Sequence, residues 1–249
     1  GNIASAYISG FGNTSFFHSE ERKIAEGVVL NRWNGITSSN AYKAGQTITF
    51  NPSTSDAMVF AAYGNSVNSR VTLSSMSKIE EQKQGVSIIG GINGDFYYLE
   101  NGVPIGLCVQ NGKLISYSNT KWYAVGFNLD GSVIIDMPNF EMYYTINGKK
   151  YTFGNFNKPQ NDWGPYLYSS DFGPNTGSTV PSVEAILDIV EGDLKIGGTV
   201  KAKITGIKLN TKSTPIGENQ LVLSARIGKY GVSSMDDFRV GEEVVFCFN

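Results

Sequence analysis

Three pairs of short runs, rich in β-branched and aromatic residues, are each joined by an Asn-Gly or Asp-Gly dipeptide. This feature constrains the chain more than any other. Residues 105–110 and 113–117 flank Asn111-Gly112, 123–128 and 132–136 flank Asp130-Gly131, and 140–146 and 150–153 flank Asn147-Gly148. Such dipeptides suit the tight hairpin turn whose two central residues need positive φ, so each pair reads as an antiparallel hairpin. Residues 183–190, 199–209, 220–226 and 244–248 add four more strand-like runs. Runs at 28–33, closed by Asn34-Gly35, and at 46–50 and 57–63 read as strands near the start.

One segment breaks the pattern. In 72–84, Leu73, Met76 and Ile79 recur at three-residue spacing, which places them on one helical face. Thr72 or Ser74 suits the N-cap and Gly85 the stop. The run 86–92 is nearly all apolar and β-branched, as the centre of a covered sheet requires. Residues 154–181, rich in Gly, Pro, Asn and aromatics, read as a long surface loop. The expected fold is α+β: a mixed β-sheet with the helix on one face, plus a β-rich inserted lobe. The sheet and helix part takes 1–136 and 227–249; the lobe, carrying the aromatic loop, takes 137–226.

Composition narrows the function. The chain has 249 residues, 20 Lys+Arg and 22 Asp+Glu, a net charge of −2. A nucleic-acid binder needs a cation surplus, so nucleic acid is not an expected partner. Apolar content of 41% excludes disorder. Runs such as 57–63 fall far short of the roughly 18 residues of a membrane span. No basic segment followed by an apolar one opens the chain, so no signal peptide is visible. Cys108 and Cys247 are far apart and form no CxxC; two buried thiols are favoured over a bridge. With His18 the only histidine, read as a surface residue, neither an ordinary zinc site nor a His-dependent triad is expected, and no metal or cofactor is assigned.

The stretch Gly91-Ile92-Asn93-Gly94-Asp95-Phe96-Tyr97 is followed by Gly102-Val103-Pro104-Ile105-Gly106 and by Asn111-Gly112-Lys113-Leu114-Ile115-Ser116. Downstream lie Ala124-Val125-Gly126-Phe127-Asn128-Leu129-Asp130-Gly131 and Tyr168-Ser169-Ser170-Asp171-Phe172-Gly173. This ordered set, from about Ile24 onward, resembles the phosphodiester glycosidase family, which includes N-acetylglucosamine-1-phosphodiester α-N-acetylglucosaminidase. The family's second signature, an Asp followed by three Gly and Ser/Thr, has no counterpart; Gly197-Gly198 lacks the Asp and the third Gly. The resemblance therefore covers the N-terminal portion of the family domain, and whether this chain is complete and active alone stays open. It implies cleavage of a sugar-1-phosphodiester at the anomeric carbon and an extracellular or cell-surface setting. The partner it implies is a sugar-phosphate diester or cell-wall glycan.

That reaction suits a chain without paired catalytic histidines. A sugar alkoxide must be protonated to depart, whereas a phosphodiester leaves as a stable anion, so one carboxylate can suffice. Asp95, at the end of the expected strand, is the candidate catalytic residue, with turn formation as its competing role. Asn93 and Gly94 beside it, and Phe96 and Tyr97 as stacking rings, are candidate substrate contacts. Arg70, ahead of the helix with its free N–H groups at Ser74 and Ser75, is a candidate phosphate clamp. Asp171, in the aromatic loop, is a candidate lining residue, and Asp130 serves its hairpin. Two other readings stay open: a non-catalytic carbohydrate or cell-wall-binding module, and a structural domain on a cell surface.

Overall fold

The protein is described by a computed structural model over residues 14–228 and 235–249, with side chains from residue 19 onward. Gly1 and the His18 side chain thus lie outside the described residues. The chain forms two compact units. The smaller takes the described residues 14–59 with 89–91 and 127–132; the larger takes the remainder.

In the smaller unit β1 (Thr14–Ala25), β2 (Val28–Thr37) and β3 (Tyr42–Phe50) make an antiparallel meander in the order β1-β2-β3. The expected turn at Asn34-Gly35 is instead the middle of β2: Asn34 pairs with Ala44 and Gly35 with Lys43. Gly45 permits this register, because a Cβ there would stand 2.4 Å from the ring of Trp33.

The larger unit begins with α1 (Leu73–Gln84), capped as its sequence predicts. Thr72 Oγ1 accepts from Ser75 N at 3.2 Å, and Gly85 turns left-handed at φ 66°. Then come β4 (Cys108–Gln110), β5 (Lys113–Ser118), β6 (Ala124–Phe127), β7 (Val133–Asp136), β8 (Met142–Ile146), β9 (Lys149–Phe153), β10 (Asn155–Phe156), β11 (Tyr166–Ser169), β12 (Ser182–Gly192), β13 (Thr199–Thr211), β14 (Gln220–Arg226) and β15 (Glu243–Phe248). β6 reaches into the smaller unit through Phe127, and β6 and β7 form a two-stranded sheet. The other ten form one sheet, in the order β4-β5-β10-β11-β14-β12-β13-β15-β8-β9, curled into a half-barrel. All its pairings are antiparallel except β10 with β11. Asn111 and Gly112 (φ 50° and 80°) and Asn147 and Gly148 (φ 50° and 75°) make the expected turns.

Side-chain alternation along the central strands separates two cores. Leu167, Leu221, Leu223, Ala185 and Leu187 join the larger cluster, which the rings of Tyr144, Phe153, Phe246 and Phe248 fill from β8, β9 and β15. Tyr166, Tyr168 and Val222 point the other way, into a cluster with Val67, Val103 and Phe172.

The fold is mostly β, 44% strand and 6% helix, rather than α+β with a helix on a sheet face. Three findings overturn that expectation. Residues 86–92 and 57–63 form no strand; among the described residues no strand pairs with them, and Val86, Ile89, Ile92 and Met58 are exposed. The helix offers no apolar face for a sheet: Leu73 is 52% exposed, Met76 and Ile79 are half-buried, and the buried residue is Glu80. Finally, 154–181 is no surface loop, because β10 and β11 lie mid-sheet with Phe156, Tyr166, Leu167 and Tyr168 buried.

Candidate functional site

Asp95 opens a hairpin-like excursion at 95–106 within the larger unit. Ile105 N donates to Phe96 O at 2.9 Å and Tyr98 N to Val103 O at 2.9 Å. At the tip, Gly102 has φ 83°, and a Cβ there would lie 2.3 Å from Ser69 O, so only glycine fits. Arg70 reaches this tip, its Nη1 donating to Leu99 O at 2.7 Å. Arg70 thus braces the excursion that carries Asp95. Ser75 N, one of the N–H groups read as an anion cradle, is taken by the Thr72 cap.

The Asp95 side chain is exposed and divided in its commitments. Oδ2 accepts from Gly106 N at 2.7 Å, whereas Oδ1 accepts no hydrogen bond from the described residues. Glycine at 106 allows this closeness, since a Cβ there would meet Oδ2 at 2.9 Å. On the same segment Lys158, 2% exposed, donates to Pro104 O and, at 2.8 Å, to Gly106 O. Burial pulls its ammonium down to about 7; Asp95 and Cys108 oppose the shift. Two carbonyl acceptors suit even the neutral amine, which keeps two N–H donors. Cys108 is a free, half-buried thiol, pushed up to about 12 by burial against the opposing pull of Lys158. It also feels Asp95, Glu80 and Asp171, so it lies within the field of all four charged groups. At neutral pH it is a thiol, not a nucleophilic thiolate.

Behind Cys108 lies a buried polar network. Glu80, 1% exposed, accepts from Tyr63 N (3.3 Å), Gly64 N (3.1 Å), Gln84 Nε2 (3.3 Å) and Gln110 Nε2 (3.1 Å). Asp171 accepts from Tyr63 OH (2.7 Å) and Ser169 Oγ (3.3 Å) and pairs with Lys113 Nζ at 2.6 Å. Burial, then Asp171, push the Tyr63 hydroxyl well above its ordinary range. Asp171 therefore ties β11, β5 and residue 63 together.

Asn93 and Gly94 are exposed, in irregular backbone, and a Cβ at Gly94 would meet nothing within 4 Å. Phe96 is 73% exposed and meets Trp122 edge to face, ring centroids 5.9 Å apart. Tyr97 is exposed too. The site thus gathers Asp95, Phe96 and Tyr97 on one excursion, braced by Arg70, while Asp171 belongs to the network behind. Sequence reasoning missed Lys158, Glu80, Cys108 and Trp122. Only Glu80 left a trace, an acid one turn after Met76 within the apolar stripe. Among the described residues no group of three or more His, Cys, Asp or Glu could hold a metal.

No known family profile matches the chain, and no curated protein does. Solved structures do. A hypothetical protein from Synechocystis superposes with a TM-score of 0.61 at 15% identity, covering 92% of this chain and 40% of its own. A "putative exported protein" from Burkholderia pseudomallei superposes with a TM-score of 0.62 at 12% identity, covering 95% of this chain and 69% of its own. The chain thus spans under half the length of the first. At these identities the likeness is one of fold. Among the described residues no helix is long and apolar enough to cross a membrane.

Proposed function

We propose that the chain carries the carboxylate of a phosphodiester glycosidase, cleaving a sugar-1-phosphodiester at the anomeric carbon. The observation that supports this is the division of labour at Asp95: Oδ2 is fixed by Gly106 N and Oδ1 is left open to solvent. A carboxylate oriented by one hydrogen bond keeps its other oxygen as a base for water or as a partner for an oxocarbenium-like centre. The departing phosphomonoester needs no proton, so no general acid is required. Lys158 holds the carbonyls of Pro104 and Gly106 and thereby sets the amide that aims Asp95. It is a positioning residue. Phe96, with Trp122 against its edge, offers an apolar ring for the face of a sugar beside Asp95. Asn93 offers an amide to sugar hydroxyls. An extracellular or cell-surface setting accords with the export named for the Burkholderia neighbour.

The test is release of N-acetylglucosamine from UDP-N-acetylglucosamine by wild type and Asp95→Asn. The reading expects measurable release by wild type and a loss of about 10²–10⁴-fold in the variant, the range for removing one positioned acid or base. Equal release by both refutes the role of Asp95. The second reading, a non-catalytic glycan-binding module, is favoured by the exposed Phe96, Tyr97 and Trp122. It predicts saturable binding to cell-wall glycan without release.

A further inference from the structure

A cavity in the larger unit is lined by residues other than those of the Asp95 excursion. It has a volume of about 450 Å³ and is lined at the ends of β5, β8, β9 and β10 and by the segment before β11. None of the site residues named above borders it. We propose that it binds a neutral saccharide of one or two rings. The inference uses neither Asp95 nor its chemistry.

Four observations carry it. The volume falls within the range of roughly 300–1,000 Å³ typical of small-molecule sites. One wall is Phe140, half-buried and stacked on the buried Tyr117 with ring centroids 4.1 Å apart and planes 29° apart. A ring backed in this way is rigid and presents a flat apolar face, the surface that the axial C–H groups of a pyranose cover. Around it stand Asn119, Asn155 and Thr152, whose side chains have no hydrogen-bond partner among the described residues. Unused amides and a hydroxyl both donate and accept, as a sugar hydroxyl does.

The fourth observation is charge. Glu141 and Asp162 border the cavity. Glu141 is already paired with Lys150 at 2.7 Å, and Asp162 Oδ1 accepts from Gly164 N at 2.8 Å. Both carboxylates accept hydroxyl donors; Glu141 is neutralised by Lys150, and Asp162, which has no cationic partner among the described residues, disfavours phosphate or carboxylate ligands. A purely apolar ligand would strand the three free polar side chains without partners. A neutral, hydroxyl-rich ligand satisfies every wall.

The experiment is a ¹H–¹⁵N titration of the wild-type protein with cellobiose and with glucose 1-phosphate, the anionic counterpart. Cellobiose is expected to shift the amides of Asn119, Gly154, Asn155 and Gly164 with a millimolar dissociation constant, and glucose 1-phosphate to bind about tenfold more weakly or not at all. Phe140→Ala and Asn119→Ala should each weaken cellobiose by about tenfold, as removal of a central contact does. The Asn119 side chain is exposed and has no partner among the described residues, and the backbone bond from Asn119 N to Gly154 O survives the substitution, so its variant folds as wild type does. Asp95→Asn should leave the titration unchanged, which separates this site from the proposed reaction. No shift at these amides with cellobiose, equal binding of the anion, or full affinity in both cavity variants would each overturn the proposal.

Discussion

Replacing Lys158 by Met should remove a rise in stability between pH 7 and pH 8.5. The buried amine is pulled from an ordinary 10.5 to about 7, so in this window the unfolded chain binds more protons than the folded one. Unfolding free energy therefore climbs with pH; it is flat only about a unit or more below pH 7, where both states hold the proton, and it levels off above the unfolded value. One site with those two constants, folded and unfolded, gives a gain of about 1.6 kcal/mol from pH 7 to pH 8.5, some fifteenfold in the folded ratio. Asp95 contributes by drawing the value back up, so Asp95→Asn should steepen the rise. The burial of Cys108 acts with opposite sign: a thiol raised to about 12 favours the unfolded thiolate as pH climbs past its ordinary value, and stability falls there. The window stops short of that region. Urea unfolding followed by tryptophan fluorescence, at half-unit pH steps, measures the difference. Lys158→Met also leaves the carbonyls of Pro104 and Gly106 without their donor, lowering stability by about 1–3 kcal/mol at every pH. The slope, not the offset, is the readout. Parallel wild-type and Lys158→Met curves across pH 7–8.5 would refute the reasoning.

Glu80→Gln should cost about 2 kcal/mol in the same unfolding assay and Glu80→Ala about 3–5. Gln110 Nε2 also donates to Ala61 O, and Gln84 Nε2 to Gln110 Oε1, so neither amide can flip to meet a new donor without losing a bond. Gly102→Ala should destabilise by about 2 kcal/mol or more, read as a fall in melting temperature, because it adds left-handed strain and meets Ser69 O. Gly106→Ala should lower sugar release while leaving the urea midpoint nearly unchanged, because the added carbon presses on Asp95 Oδ2.

The hairpins were legible because Asn-Gly encodes positive φ directly, without help from the rest of the fold; Asn111 and Asn147 show it. The helix ends were legible for the same reason, since Thr72 and Gly85 act within one turn. What failed depended on partners distant in sequence. An apolar run becomes a strand only when something pairs with it, and among the described residues no strand pairs with 86–92. Glycine, proline and aromatics at 154–181 suggested solvent, yet Tyr166 and Tyr168 are packed in one cluster with Val67 and Val103 from far along the chain. At the candidate site, Asp95 could be picked from its turn and neighbours. Lys158 could not, since nothing local distinguishes a lysine enclosed between two carbonyls from a solvated one.

The account rests on Asp95 acting through its unbonded oxygen on a sugar-phosphate diester. Single-turnover release of N-acetylglucosamine from UDP-N-acetylglucosamine, compared for wild type and Asp95→Asn, tests this most directly. The account predicts release by the wild type and a drop of two to four orders of magnitude in the variant, with folding intact by urea titration. Release at the same rate from both proteins, or from neither, would contradict it.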